Sequence, residues 1–305
     1  MTSGPLHFRE PQPDDADNVR RCTVSLLCSD LAFPNIYLLK NKYGTKLLFH
    51  MEHLIRHFSG NGRLKGYTFP VGGNTNTINA CLEAIEADAK ARREKLQYCL
   101  LTAEQAEYLQ RFYGKKAQIG YDRGDADYLY KRADLALLNG NAYHKKRTHL
   151  NNFLKKYPDV VFQKLTPENR QDALNVAQQW LKSQQESPAL LHEYRAIENA
   201  MFHMEQLHLS GGIVYIDGKP VAMALYSQVN ESVTDIHYEK CIPEYRDAYV
   251  YINREVAAAV KTEWINREED LNIDGLRKAK LSYHPALILS KYTATIYVDC
   301  YFYSC

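Results

Sequence analysis

The stretch that most constrains the fold lies at 212–261. Two apolar runs, 212–216 and 220–228, flank Asp217-Gly218, a pair that closes tight β-hairpins because its backbone tolerates positive φ. A third run of strand character, 232–238, follows. Ile252, Val256 and Val260 then recur at four-residue steps through 248–261, the period of a helix with one buried stripe. Three antiparallel strands feeding a helix exclude an all-helical fold and require a sheet with a helical layer against it.

The remaining sequence alternates in the same way. Helical period with Ile78, Leu82, Ile85 and Ala89 spans 77–95, followed by a strand at 96–101, a helix at 103–113 and a strand at 116–121. The residues 134–139 form a short helix stopped by Gly140, and 142–157 a longer basic helix stopped by Pro158. A strand at 160–164, a helix at 168–182 and a mostly helical stretch at 186–208 lead into the meander. A strand near 263–266, a helix at 275–284 and a strand at 286–298 close the chain. The segment 6–9 reads as a first strand, a helix opens at Asp14, Asp15 and Asp17 and runs to about Cys28, and 31–43 has no clear period. The segment 46–58 fits either a helix, with His50, His53 and His57 on one metal-binding face, or a hairpin that scatters them. The fold class is α/β, or α+β, with mostly antiparallel mixed sheets flanked by helices.

Composition narrows function mainly by exclusion. At 305 residues the chain suits two domains. A net charge of +2 gives no global field that would select nucleic acid, so any such contact must be a local patch. Seven cysteines without a Cys-x-x-Cys spacing argue against a disulfide framework or a structural zinc site, and fit a cytoplasmic protein. No apolar run is long enough to span a bilayer, so a lipid substrate would be met at most peripherally. Nucleophile-elbow, P-loop, dinucleotide and His-Glu-x-x-His patterns are all missing, and no metal centre is expected.

The densest chemistry lies at 264–285. Asp274 and Gly275 open a short helix in which Leu276, Ala279 and Tyr283 share an inward stripe, with Arg277, Lys280 and His284 on the next one. Arginine, lysine and histidine presented together suit a phosphate or carboxylate. The same pattern also fits a solvated helix paired to Glu268, Glu269 and Asp270. On the basic helix, Arg147 shares a stripe with Tyr143, Leu150 and Leu154, and an inward arginine needs an anionic partner. With Arg277, Lys278 and Lys280 it would line a cleft for a tRNA acceptor end or for CoA phosphates.

Three segments carry a resemblance. Asn266-Arg-Glu-Glu-Asp270 with Gly275-Leu-Arg-Lys-Ala-Lys-Leu-Ser-Tyr-His-Pro285 is one. Asp127-Tyr-Leu-Tyr130, Asp134 to Gly140, His144-Lys-Lys-Arg147 and Asn151-Asn-Phe153 form the second, and Tyr238-Glu-Lys240 with Ile252-Asn-Arg-Glu255 the third. Together they resemble a bacterial family related to the C-terminal domain of phosphatidylglycerol lysyltransferase. The resemblance implies two tandem acyltransferase domains of the GNAT fold, as in the Fem-type aminoacyltransferases, here expected at 1–134 and 135–305. It implies transfer of an acyl or aminoacyl group to an amine or hydroxyl acceptor, a small molecule, lipid or peptide, with the active site in the second domain. Aminoacyl-tRNA or acyl-CoA would be the co-substrate. In the GNAT fold the loop after the third strand cradles the CoA pyrophosphate and is glycine-rich. The corresponding 243–249 has no glycine, which favours a donor other than CoA. A CoA-dependent N-acetyltransferase and a non-catalytic binding protein are the alternatives.

Residue roles follow from placement. Glu239 leaves the third strand where a carboxylate can take a proton from an attacking group, unless it only pairs with Lys240 or Arg246. Tyr283 or Tyr292 can donate a proton to a leaving group. Asp235 matches an acidic position of a lysyltransferase motif, although the basic position three residues on is Tyr238 here. Asn266, Arg267 and Glu268 are expected to support the site.

Overall fold

The computed structural model describes residues 6–24, 26–60 and 62–297. Two mixed sheets dominate. In the first, the strands Thr45–His50, His53–Phe58, Gly66–Tyr67, Leu96–Leu101, Tyr292–Ile296 and Ala117–Tyr121 lie in that spatial order, and Val71–Gly72 also pairs with the second of them. The second sheet runs Leu287–Leu289, Asp127–Lys131, Trp264–Asn266, Val233–Cys241, Lys219–Gln228, Leu209–Ile216 and Val161–Lys164. Helices flank both sheets, as expected of the fold class.

The expected meander and helix are present, with the helix at Ala248–Ala259. Asp217 (φ 51°) and Gly218 (φ 73°) both adopt positive φ, and Ile216 pairs with Lys219 across the two-residue turn. The ambiguous 46–58 segment is a hairpin. His50 pairs with His53 across Met51 and Glu52, whose φ angles of 49° and 65° make the same kind of turn without glycine. The three histidines therefore do not share a helical face. His53 Nε2 contacts Thr77 Oγ1 at 2.9 Å and His57 Nε2 contacts Glu94 Oε2 at 2.9 Å.

Several expectations fail for identifiable reasons. The aperiodic 31–43 stretch contains the short helices Phe33–Leu38 and Lys40–Tyr43, and the helix expected from Asp14 stops at Cys22. The first strand reduces to one bridge, Arg9 with Leu47. The single strand expected at 286–298 is broken, because Leu287–Leu289 belongs to the second sheet and Tyr292–Ile296 to the first. Asp127–Lys131, which precedes residue 134, pairs within the second sheet. Residues 298–305 of the aromatic tail lie outside the described residues.

One irregularity decides the geometry of the site. Leu225 pairs with Tyr238 and Tyr226 with Ile236, so His237 is the extra residue of a β-bulge in Val233–Cys241. Asp235 and Glu239 would share a face in a regular strand. Here Asp235 lies opposite Ser227, beside the core that contains Leu225 and Val229, whereas Glu239 lies opposite Ala224, beside the core that contains Tyr130 and Tyr283.

Candidate active site

Trp264–Asn266 is inserted between Val233–Cys241, to which it is parallel, and Asp127–Lys131, to which it is antiparallel. Beyond it the chain turns, with Glu268 at φ 57°. The turn leaves the Arg267 and Glu269 carbonyls without backbone partners among the described residues, whereas the Glu268 carbonyl accepts from the Tyr128 amide at 3.2 Å. Lys280 reaches in from the helix Asp274–Leu281, and its Nζ donates to the carbonyls of Arg267, Glu268 (3.0 Å) and Glu269 (2.6 Å). Burial pushes the Lys280 ammonium down to about 8. This contact overturns the expected apolar stripe: Lys280 is buried, whereas Leu276 is 37% exposed and Ala279 is exposed. Unpaired buried carbonyls cost more than a half-exposed leucine.

The anion cleft expected from the basic residues does not assemble, because most of them are engaged within the protein. Arg277 grips the Asp270 carboxylate with two hydrogen bonds, 2.7 and 2.9 Å long, and Tyr128 adds a third at 2.5 Å. Arg147 donates to the carbonyls of Leu138 and Gly140 (2.7 Å), closing the C-terminal end of the helix Arg132–Leu137 rather than meeting an anion. The ring of His284 contacts the Ala142 carbonyl at 3.0 Å, and Lys278 is exposed. Tyr292 stacks on Tyr121 in the first sheet and takes no part in the site around Glu239.

Around Glu239 the arrangement differs. Arg267 Nη2 donates to Glu239 Oε2 at 2.6 Å, in place of the expected Lys240 or Arg246; Lys240 pairs with Glu193 instead. Glu239 Oε1 is buried and has no hydrogen-bond partner among the described residues. The Arg267 guanidinium lies 5.1 Å from the Tyr283 ring centroid, and Lys146 Nζ lies 3.6 Å from the same ring. Burial, with the Arg267 charge adding to it, brings Lys146 down to about 8 against the pull of Glu239. Burial pushes the Tyr283 hydroxyl up to about 12, so it keeps its proton at neutral pH. A carboxylate with one free oxygen, a half-buried lysine and a protonated phenol make up the chemistry of this face.

On the opposite face, Asn35 from the helix Phe33–Leu38 joins Asp235, His237 and Glu268. Asn35 Nδ2 donates to Asp235 Oδ2 (3.1 Å), to Glu268 Oε1 (2.9 Å) and to the Ser29 carbonyl (3.1 Å). Burial, then the Glu268 charge, raises Asp235 well above the usual carboxylate range. Burial also opposes the Glu268 charge, but hydrogen bonds from His237 and Asn35 outweigh it and hold Glu268 below that range. Ligand-type atoms of Asp235, His237 and Glu268 lie within 4.8 Å of one another, a grouping the sequence did not reveal. The Asn35 amide nitrogen, a donor, already bridges the two carboxylates. Further along, Asn266 Nδ2 donates to the Leu27 carbonyl and to Asp127 Oδ2, both at 2.9 Å.

The family described as "Phosphatidylglycerol lysyltransferase, C-terminal" matches residues 26–295. The chain belongs to this family. A crystal structure of a conserved protein of unknown function from Bacteroides thetaiotaomicron is 33% identical, superposes with a TM-score of 0.90, and covers 96% of this chain and 100% of its own. L-PGS from Bacillus licheniformis (12% identity, TM-score 0.67, 94% and 93% covered) and FemX (9% identity, TM-score 0.63, 96% and 98% covered) share the fold. An uncharacterized protein of Mycoplasmoides gallisepticum is 26% identical over 182 residues, and the chain spans 56% of that curated relative's length.

Within this family frame, the expected residues Glu239, Tyr283, Asn266, Arg267, Glu268 and Asp235 gather around the junction of the Val233–Cys241 and Trp264–Asn266 strands. Lys146 and Asn35 were missed. Lys146 stands at i, i+4, i+7 with Leu150 and Phe153, both buried, so helical period could have shown it facing inward. Asn35 sits in the aperiodic stretch and gave no signal.

Proposed function

We propose that the protein transfers an activated aminoacyl or acyl group to an amine or hydroxyl acceptor, with Glu239 as general base. The observation that carries this reading is the buried Oε1 of Glu239, which has no hydrogen-bond partner among the described residues, beside an Oε2 fixed by Arg267. Such a carboxylate is oriented by one oxygen and free to accept a proton through the other. Tyr283 keeps its proton and serves as donor to the leaving group, while Lys146 and Arg267 hold positive charge near the developing oxyanion. Family membership supports acyl or aminoacyl transfer in general.

Aminoacyl-tRNA is the favoured donor. The turn Pro243–Tyr245 before the helix Ala248–Ala259 has no glycine to let a pyrophosphate approach the backbone. A lipid acceptor would be reached from the membrane surface, since no described helix is long and apolar enough to cross a bilayer.

Mass spectrometry of small molecules and RNA that co-purify with the protein tests the donor, followed by transfer assays with aminoacyl-tRNA and with acyl-CoA against a panel of amines, alcohols and lipids. Turnover with aminoacyl-tRNA supports the reading, and turnover with acyl-CoA alone replaces it with an N-acetyltransferase. Binding without turnover of either donor leaves a binding protein that retains the fold.

A further inference from the structure

The bulge at His237 has a second consequence, on the face away from Glu239. It sets the imidazole against Ser227 on the neighbouring strand, with Ser227 Oγ 2.8 Å from His237 Nε2. Both residues are buried. Acceptors surround the other ring nitrogen: Asn35 Oδ1 lies 3.1 Å from Nδ1, Asp235 Oδ2 3.3 Å and Glu268 Oε1 3.4 Å. These oxygens place the ring hydrogen on Nδ1 and leave Nε2 as the acceptor for the serine hydroxyl. The Asn35 amide cannot turn without losing the bonds from its Nδ2 to Ser29, Asp235 and Glu268, so the tautomer is fixed from two sides.

Ser227 also borders a surface pocket, together with Val19, Phe33, Leu207, Arg20 and His208. Its strand neighbours on that side, Leu225 and Val229, belong to the same core as Val19, Phe33 and Leu207, so the hydroxyl is on the pocket face. The lining mixes these apolar side chains with Asp17, Arg20 and His208.

We propose that Ser227 is a nucleophile, activated by His237 and oriented through Asn35 and Asp235, that accepts an acyl group from an activated ester or thioester. Nucleophile, base and orienting group stand in the relation that this chemistry needs, whatever their order in the chain. Oγ attacks the carbonyl carbon while its proton passes to Nε2. The resulting imidazolium is stabilised by the Glu268 and Asp235 oxygens beside Nδ1. The bond from the acyl carbon to the leaving oxygen or sulfur then breaks, and Nε2 returns the proton to that atom. The products are an ester on Ser227 and a free alcohol or thiol; water or an amine releases the acyl group afterwards. The inference does not depend on Glu239 being a base, because the two groups lie on opposite faces of the strand.

The full chain is treated with a fluorophosphonate and, separately, with p-nitrophenyl acetate, and the adducts are located by peptide mapping. One adduct on Ser227 is expected with each reagent, and Ser227→Ala should take none. His237→Gln should be labelled at least about 100-fold more slowly, the usual scale for loss of a general base. Circular dichroism and the thermal midpoint establish that each variant is folded. An unlabelled wild-type protein, an adduct on another residue, or labelling of folded His237→Gln at the wild-type rate overturns the proposal. Should Ser227→Ala fail to fold, the position of the wild-type adduct still decides.

Discussion

Two clusters of charge flank the second sheet, and they differ in how their carboxylates are partnered. At the junction between the sheets, Lys291 stands in the crossing between Leu287–Leu289 and Tyr292–Ile296. Its Nζ meets Asp127 at 2.6 Å, Asp30 at 2.8 Å and Glu269 at 3.7 Å. The Ser29 amide and hydroxyl bond Asp127 at 2.8 and 2.9 Å, and Arg63 bonds Glu269 at 2.8 Å. Around Glu239, by contrast, one carboxylate oxygen has no partner among the described residues and a half-buried lysine holds its proton weakly. Asp127, with both oxygens bonded, and the Lys291 cation it shares with Asp30 tie the sheets together. A buried acid left one bond short stores an interaction that a substrate can complete.

Loss of the Glu239 carboxylate should give the largest effect. Glu239→Gln is expected to lower turnover about 10²–10⁴-fold once a substrate is in hand. Full activity in the folded variant would show that the Glu239 cluster is no more functional than the junction cluster.

The junction cluster should answer in stability rather than in chemistry. Lys291→Met leaves several buried acids without their cation and should cost about 3–5 kcal/mol in chemical denaturation. A variant as stable as the wild type would remove the contrast from the other side.

Asp270 gives a finer test by pH. Burial raises its carboxyl, but hydrogen bonds from Arg277 and Tyr128 outweigh it and hold the group well below the usual carboxylate range. A depressed carboxylate contributes stability that is fully present above the unfolded value of about 3.9 and is lost as pH falls through the folded one. Arg277→Ala should therefore be less stable than the wild type at neutral pH, and the gap should narrow below about pH 4. A gap independent of pH would mean that Arg277 acts through packing alone.

Lys146 offers the smallest and most local signal. Its labelling by an amine-selective reagent should rise with a midpoint near pH 8, below the ordinary lysine value of 10.5. Glu239→Gln should lower that midpoint further, since the carboxylate favours the charged amine. An ordinary lysine titration would separate Lys146 from the Glu239 cluster.

Local elements, and the residues that meet at the junction of the Val233–Cys241 and Trp264–Asn266 strands, were legible from the chain alone. Apolar spacing over Ile252, Val256 and Val260, and the turn pair Asp217-Gly218, specify a helix and a hairpin through backbone geometry that needs no distant partner. The 266–270 motif was legible because its charges are packed densely before a helix and because it resembles the family's signature. Tertiary structure decided where each of them points. Lys280 turned inward because the Arg267 and Glu269 carbonyls of the preceding turn needed a donor. The strand expected at 286–298 divided because two sheets competed for its backbone. Asp235 and Glu239 parted because one extra residue in a strand reverses every side chain beyond it. Those outcomes depend on contacts between segments as far apart as Asn35 and Glu268, and local spacing carries no record of such pairings.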